Sequence, residues 1–355
     1  MTTALLAFLL GPTHAAAQEP GTVDVTGLMY LKYEQGEAGS AEFSSFHVAR
    51  SYFTARAGIL PRLSARITID AHQDSTGDFK ARLKYAHIKY DVGSAGSALT
   101  DLQLEAGIAH MPWLGFEEHI NLYRMRDKMF MERNGLFNSA DLGVTLRGNL
   151  GGQVDEEFQR TVSDDFAGRY GSFEVGVYNG GGYHAVEVNT NKVVEGRLTL
   201  RPLPGTLPGL QLSGLAITGK GNQPGTGDDV PDWNTYNLFL SYQHQHGTLT
   251  AQYVNGSGNQ KGTFVDPLSP SQATDVSGYS LFAEARPGQW RVIGGFDDFD
   301  RKPGTADFSL QRYHAGIGYV VTGGNILVLS VDRVDWDDPA LDPDTRAQLV
   351  FQVKF

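Results

Sequence analysis

The feature that most constrains the fold is a period of two in short segments that are separated by turn signals along most of the chain. In residues 63–72, LSARITIDAH, the apolar residues Leu63 and Ile67 alternate with the polar residues Arg66 and Asp70. Successive side chains of a β-strand point to opposite faces, so this pattern predicts strands with one apolar and one polar face. We predict sixteen such strands between residues 22 and 355, with the seventh over 166–179, and therefore an all-β fold.

The connections between these segments alternate in length. Tight-turn residues form the short connections, as at Pro61-Arg62, His246-Gly247 and Pro287-Gly288. Short turns at one end and long loops at the other are typical of a transmembrane antiparallel β-barrel, with turns in the periplasm and loops outside. Residues 151–165 fit poorly, because a short turn is expected there. The long connections, rich in Gly, Asn, Asp and Pro, are 180–191, 219–232, 255–275, 299–308 and 337–345.

The polar faces of the predicted strands carry charged residues. The alternation in DLQLEAG, for example, predicts that Leu104 faces lipid and that Glu105 faces the interior. An unpaired charge is very costly in the core of a sandwich, whereas a water-filled lumen accommodates it. Inward-facing arginines predicted to line this lumen are Arg50, Arg56, Arg66, Arg147, Arg197, Arg201, Arg291 and Arg312.

Composition limits the alternatives. The chain has no cysteine, which excludes a disulfide framework and a cysteine metal site. The only long apolar stretch is at the N-terminus, so a helical membrane protein is nearly excluded. That stretch has an apolar core, Ala4 to Leu10, followed by small residues up to Ala17. We therefore predict a signal peptide over 1–17 and a barrel over 18–355.

Several sequence blocks in this order resemble the phosphate-selective porin O and P family: FHVARSYFTARAGIL, LKYAHIKYD, LEAGIAHMPWLGFEEHINLYRMRDKMFMER and ADLGVTLRGNL. The resemblance implies sixteen strands, a homotrimer, and a third extracellular loop that folds into the pore as a constriction. In this chain the matching loop is Met111 to Ser139, residues 111–139. The final Phe355, at the end of an alternating strand, resembles the C-terminal assembly signal of outer-membrane barrels.

The resemblance also implies which loop residues meet the solute. By analogy with anion-specific members, the basic candidates at the constriction are Arg124, Arg126, Lys128 and Arg133. This chain departs from the family pattern because the same loop contains four acidic residues, which cancel the formal charge: Glu117, Glu118, Asp127 and Glu132. The net charge of -11 is expected mostly in outer loops such as 332–344.

These observations predict a porin of the bacterial outer membrane, a passive diffusion channel for small hydrophilic solutes with a preference for anions or phosphate. Small ions, hydrophilic solutes and outer-membrane lipid are the predicted partners. No nucleic acid, cofactor or enzymatic activity is predicted. No metal site is predicted either, because His244 and His246 lack further ligands nearby in the sequence.

Two other functions stay open at this point. One is a barrel with a plugged lumen that acts as an adhesin or structural protein through its long loops. The other is an outer-membrane hydrolase, which is less favoured because no serine has a histidine and an acid at a suggestive spacing.

Overall fold

The computed structural model describes residues 19–74, 76–302 and 308–355, so the predicted signal peptide lies outside the described residues. Within them, sixteen strands form a closed antiparallel barrel in which chain neighbours pair and the last strand pairs with the first. The predicted fold is confirmed. The barrel strands are β1 (Val23–Ala38), β2 (Ala41–Leu60), β3 (Leu63–Gln73), β4 (Phe79–Ala95), β5 (Leu99–His110), β6 (Ala140–Leu150), β7 (Gly171–Tyr178), β8 (Val193–Leu200), β9 (Leu210–Lys220), β10 (Asp232–His244), β11 (Gly247–Ser257), β14 (Asp275–Ala285), β15 (Trp290–Lys302), β16 (Phe308–Thr322), β17 (Asn325–Trp336) and β18 (Asp344–Lys354), while β12 (Val265–Asp266) and β13 (Ser269–Ala273) form a separate hairpin.

The barrel closes between β1 and β18, which pair from Leu28 with Lys354 to Glu37 with Thr345. Beyond this ladder, the Gly27 N–H donates to the Phe355 carbonyl at 2.7 Å, and the Phe355 N–H donates back at 3.1 Å. A Cβ atom on Gly27 would lie 2.2 Å from the Phe355 ring. Glycine is therefore the residue that lets the final aromatic side chain lie across the seam.

The two faces of the strands separate as the alternation predicts. Leu104 is 38% exposed on the outer surface, whereas its neighbour Glu105 is 1% exposed inside the barrel. Along β8, Val194 and Leu198 are exposed while Glu195 is buried. A barrel that contacts lipid requires apolar side chains on its outer surface, and these strands provide them.

A β-bulge changes the pattern in β4. Thr68 of β3 pairs with Tyr85, but the next residue, Ile69, pairs with Leu83, so Lys84 is an extra residue in the ladder. Lys84 and Tyr85 are consecutive and both are buried inside the barrel. A bulge redirects side chains in this way because two residues oppose one on the partner strand.

We call the end of the barrel with the short connections the turn end and the opposite end the loop end. Three α-helices lie in the connections of the described residues: α1 (Leu114–Ile120), α2 (Phe130–Arg133) and α3 (Glu156–Thr161), with a 3-10 turn at Gly227–Asp229. None of the helices in the described residues is long and apolar enough to cross a membrane.

The poorly fitting connection is an insertion, residues 151–170, at the turn end between β6 and β7. It contains α3, which Asp155 caps by accepting hydrogen bonds from the N–H groups of Glu157 and Phe158. The prediction that the seventh strand begins at residue 166 is wrong, since β7 begins at Gly171. Phe166 has a φ of 49°, a left-handed conformation that cannot continue a strand.

Candidate pore constriction

The connection between β5 and β6, residues 111–139, enters the barrel and is held there by apolar side chains. Trp113 and Phe116 both contact Phe239 of β10, with ring centroids 5.4 and 6.3 Å apart. Trp113 and Leu114 have no exposed surface. Burial of large aromatic side chains stabilises this docking. We call this segment the constriction loop.

One of the four acidic residues of the constriction loop is buried among these apolar groups. Glu117 is 4% exposed, and its Oε2 accepts a hydrogen bond from the Trp113 Nε1–H at 2.8 Å. Burial raises the pKa of the Glu117 carboxyl to about 8. Glu117 is therefore mainly protonated at pH 7, so it does not offset the basic residues of the loop as its formal charge suggests.

Arg124 lies between two carboxylates of its own loop. Its Nη1 is 2.9 Å from Glu118 Oε1, and its Nη2 donates to Glu132 Oε1 at 2.8 Å. Burial alone would raise the pKa of Glu132, but the Arg124 guanidinium lowers it to about 2. Both Glu132 and Arg124 stay charged, and the positive charge of Arg124 is compensated.

The other basic candidates of the loop differ from one another. Arg126 Nη1 donates to Asp332 Oδ2 of β17 at 2.7 Å, and Arg133 is paired with Asp297 of β15. Lys128 is exposed, and within the described residues no carboxylate oxygen lies within 4.0 Å of its Nζ. Only Lys128 of the four candidates therefore offers an uncompensated charge.

Asp127 and Asp332 connect the second half of the loop to the wall. Arg312 Nη1 lies 2.7 Å from Asp332 Oδ1, and Arg346 Nη2 lies 3.1 Å from Asp127 Oδ2. Although burial raises the pKa of Asp127, Arg133 and its basic neighbours hold it well below its usual range. Asp332 therefore belongs to the constriction, not to the outer acidic loop in which the sequence placed it.

The part of the wall formed by β2 and β4 carries cations of a different kind. Tyr52 Oη accepts hydrogen bonds from Arg50 Nη1 at 2.8 Å and from Lys84 Nζ at 3.0 Å. Within the part of the chain that the structure describes, no carboxylate oxygen lies within 4.0 Å of either cation. Arg50 interacts electrostatically with Arg124 and Glu132, so these side chains face the constriction loop. We call Arg50, Tyr52 and Lys84 the wall patch.

Further inward-facing groups lie beside the wall patch. His87, Glu105 and His110 have potential metal-ligand atoms within 4.8 Å of one another. However, Arg66 Nη1 is 3.0 Å from His110 Nε2, and Arg147 Nη2 is 3.3 Å from Glu105 Oε1. Two guanidinium groups oppose a metal cation there, and the cluster is better described as a hydrogen-bonded part of the lumen wall.

The remaining arginines lie in three environments. Arg56 pairs with Arg66 in the ladder between β2 and β3, on the inner face. Arg291 lies at the turn end, 3.6 Å from Glu284 Oε1. The sequence predicted that Arg197 and Arg201 line the lumen. Both point inward, but only 2% of Arg197 and 3% of Arg201 is exposed. The physical reason is that the constriction loop and the insertion cover them.

No protein-family model and no curated protein matches the sequence. Solved structures are similar in fold. An anion-selective porin from Comamonas acidovorans has a TM-score of 0.65 at 11% identity, over 94% of this chain and 99% of that one. The outer membrane channel DcaP of Acinetobacter baumannii has a TM-score of 0.61 at 10% identity, over 96% of this chain and 100% of that one. The trimer form of OmpT, an outer membrane protein of Vibrio cholerae, has a TM-score of 0.59 at 8% identity, over 95% of this chain and 100% of that one.

These likenesses concern the fold. The sixteen-strand barrel with its apolar outer surface is the fold of bacterial outer-membrane proteins. This fold agrees with the location predicted from the sequence, the bacterial outer membrane. The resemblance to the phosphate-selective O and P family stays a prediction, because no family model matches.

Sequence reasoning did not find the wall patch as a unit. Arg50 was among the predicted lumen residues, but Lys84 was not, because the bulge in β4 is invisible to a count of alternating residues. The pairing of the loop with Asp297 and Asp332 was missed as well, because these partners are more than 160 positions away along the chain.

Proposed function

We propose that the protein is an outer-membrane porin, a passive channel for small hydrophilic solutes that favours anions and performs no chemical step. The observation that carries the proposal is the wall patch. Among the described residues, no carboxylate oxygen lies within 4.0 Å of the Arg50 or Lys84 cation, whereas Arg124 is bound by two carboxylates. These five charged groups, three cations and two carboxylates, have a formal sum of +1.

The wall patch, not the paired arginines Arg124, Arg126 and Arg133 of the loop, is thus the proposed source of selectivity. A unit charge a few ångströms from a permeating ion contributes about 1 kcal/mol even at the dielectric constant of water, and more in a narrow pore. Paired loop cations contribute less, since the field of each is offset by its carboxylate. We expect the turn end to face the periplasm and the loop end to face outward, as is typical of transmembrane barrels with this alternation of short and long connections.

The test is the reversal potential in planar bilayers under a KCl gradient. We expect an anion-selective parent, and in Arg50→Ala with Lys84→Ala the anion to cation permeability ratio should fall by about threefold or more. The matched control is Arg333→Ala, because Arg333 is exposed and paired with Asp335 at the outer rim. A cation-selective parent would reject the anion preference, and a double variant with the parent's ratio would reject the wall patch as its source.

Two finer proposals use the same preparation. Phosphate is a candidate solute because of the family resemblance, and block of the chloride current by added inorganic phosphate tests it. A homotrimer is proposed because a similar structure is described as a trimer form, and the mass of the unheated protein in detergent tests it. Absence of conductance in the folded parent would favour the plugged barrel instead.

A further inference from the structure

The insertion 151–170 reaches from the turn end into the barrel and contacts the constriction loop. The Phe166 ring lies 5.2 Å from the Phe116 ring of α1 at an interplanar angle of 77°, and 5.6 Å from the His119 ring. Asp165 Oδ1 lies 3.4 Å from His119 Nε2. One face of α1 thus rests on the barrel wall and another on the insertion.

Arg197 joins these parts. Its guanidinium carbon lies 4.2 Å from the Phe116 ring centre and 4.9 Å from the Phe166 ring centre, so it contacts both rings. Its Nε donates to the Pro112 carbonyl at 3.0 Å, and its Nη1 donates to Thr199 Oγ1 at 2.7 Å. The loop, the insertion and β8 therefore share one buried side chain.

Arg201, the first residue after β8, also holds the insertion. Its Nε donates to the Gly168 carbonyl at 3.3 Å, and its Nη2 donates to the Phe166 carbonyl at 3.4 Å. The guanidinium carbon also lies 5.3 Å from the Phe158 ring centre of α3. Arg201 therefore fixes the backbone of the insertion at Phe166, whose side chain contacts the constriction loop.

Phe166 itself is held in an unfavourable conformation. A φ of 49° is unusual for a bulky residue, and such strain persists only where the surroundings determine the geometry. The side chain is packed against the apolar cluster that contains Trp113, Leu114 and Phe116. The cost is consistent with a ring that is directed onto the constriction loop.

We propose that the insertion 151–170 is a brace that positions the constriction loop from the turn end, with Phe166 as the positioning residue and Arg197 and Arg201 as its anchors. The brace resists displacement of α1 along the pore axis, so it keeps the channel open and its cross-section constant. The electrical consequence depends on the proposed channel function, whereas the mechanical one does not.

Two measurements test the brace. In single-channel recordings, Phe166→Ala should close about two- to tenfold more often than the parent, the range implied by loss of one aromatic pair. Since the chain has no cysteine, Leu122→Cys, at an exposed site on the constriction loop, takes one spin label, whose mobility should rise in the same variant. Alanine at position 166 removes the ring but retains the strained backbone.

Tyr170→Ala is the matched control, because Tyr170 is an exposed aromatic residue of the same insertion whose ring contacts Arg169. It should leave both readouts unchanged. Closure frequency and label mobility equal to the parent's in Phe166→Ala would overturn the brace. If that variant yields no folded barrel, Phe166→Leu decides by the same criteria, since it also loses both ring contacts. A parent that does not conduct would contradict the channel proposal, while the label would still decide on the brace.

Discussion

At the residue scale, Glu117 shows how burial changes the charge of a pore loop. Its carboxyl is surrounded by apolar side chains and accepts a hydrogen bond from Trp113. Glu118 and Asp297 act in the same direction as burial, and Arg133 opposes it. A raised pKa means that the folded state holds a proton that the unfolded state releases, so stability falls as pH rises from about 4.5 to about 8.

We therefore predict that alkaline pH loosens the constriction loop and weakens anion preference. Between pH 6 and pH 9 the parent should lose thermal stability and its permeability ratio should fall, because ionised Glu117 adds a buried negative charge. Glu117→Gln keeps an acceptor for Trp113 and should remove most of this pH dependence. Thermal unfolding and reversal potentials at both pH values check the prediction, and an equal pH response in the two proteins would contradict it.

At the scale of the elements, the period of two predicts the strands well because one face meets lipid and the other meets water or the loop. It fails where a strand contains a bulge, as at Lys84, and where a strand end is replaced by tertiary structure, as at Phe166. The bounds of the constriction loop, residues 111–139, were predictable from the length of this connection and from the resemblance of its sequence to the third loop of the porin family. Its ion pairs with β15 and β17 were not, since they depend on how the loop lies inside the barrel.

The two faces of a strand predict different costs for the same substitution. Leu104→Arg places a charge on the lipid-facing surface near mid-strand and should cost roughly 2 to 4 kcal/mol. Thr26→Arg is the control, because Thr26 is exposed and pairs with the inward Thr54, so it should cost much less. Denaturant unfolding in micelles measures both. Equal losses would contradict the lipid-facing assignment. Glu105 is a poor control because it binds His110 at 2.7 Å.

At the scale of the whole molecule, the net charge of -11 and an anion preference are compatible because the charges are separated in space. The constriction and the wall patch combine paired groups with a small positive excess. Much of the negative charge lies on exposed carboxyls at the loop end, where water screens it; examples are Glu37, Glu42, Asp228, Asp229, Asp337 and Asp338.

This separation predicts how selectivity depends on salt. The Debye length is about 10 Å at 0.1 M ionic strength and about 3 Å at 1 M, so the half-buried Arg50 attracts anions in the pore less strongly as salt rises, while the buried Lys84 is screened less. We expect the anion to cation permeability ratio of the parent to fall toward one between 0.1 and 1 M KCl. Arg50→Ala with Lys84→Ala should show a flatter dependence, because the charges that salt screens have been removed. If instead the ratio were constant across this range in the parent, the preference would arise from pore size or from direct coordination, and the wall patch would not be its source.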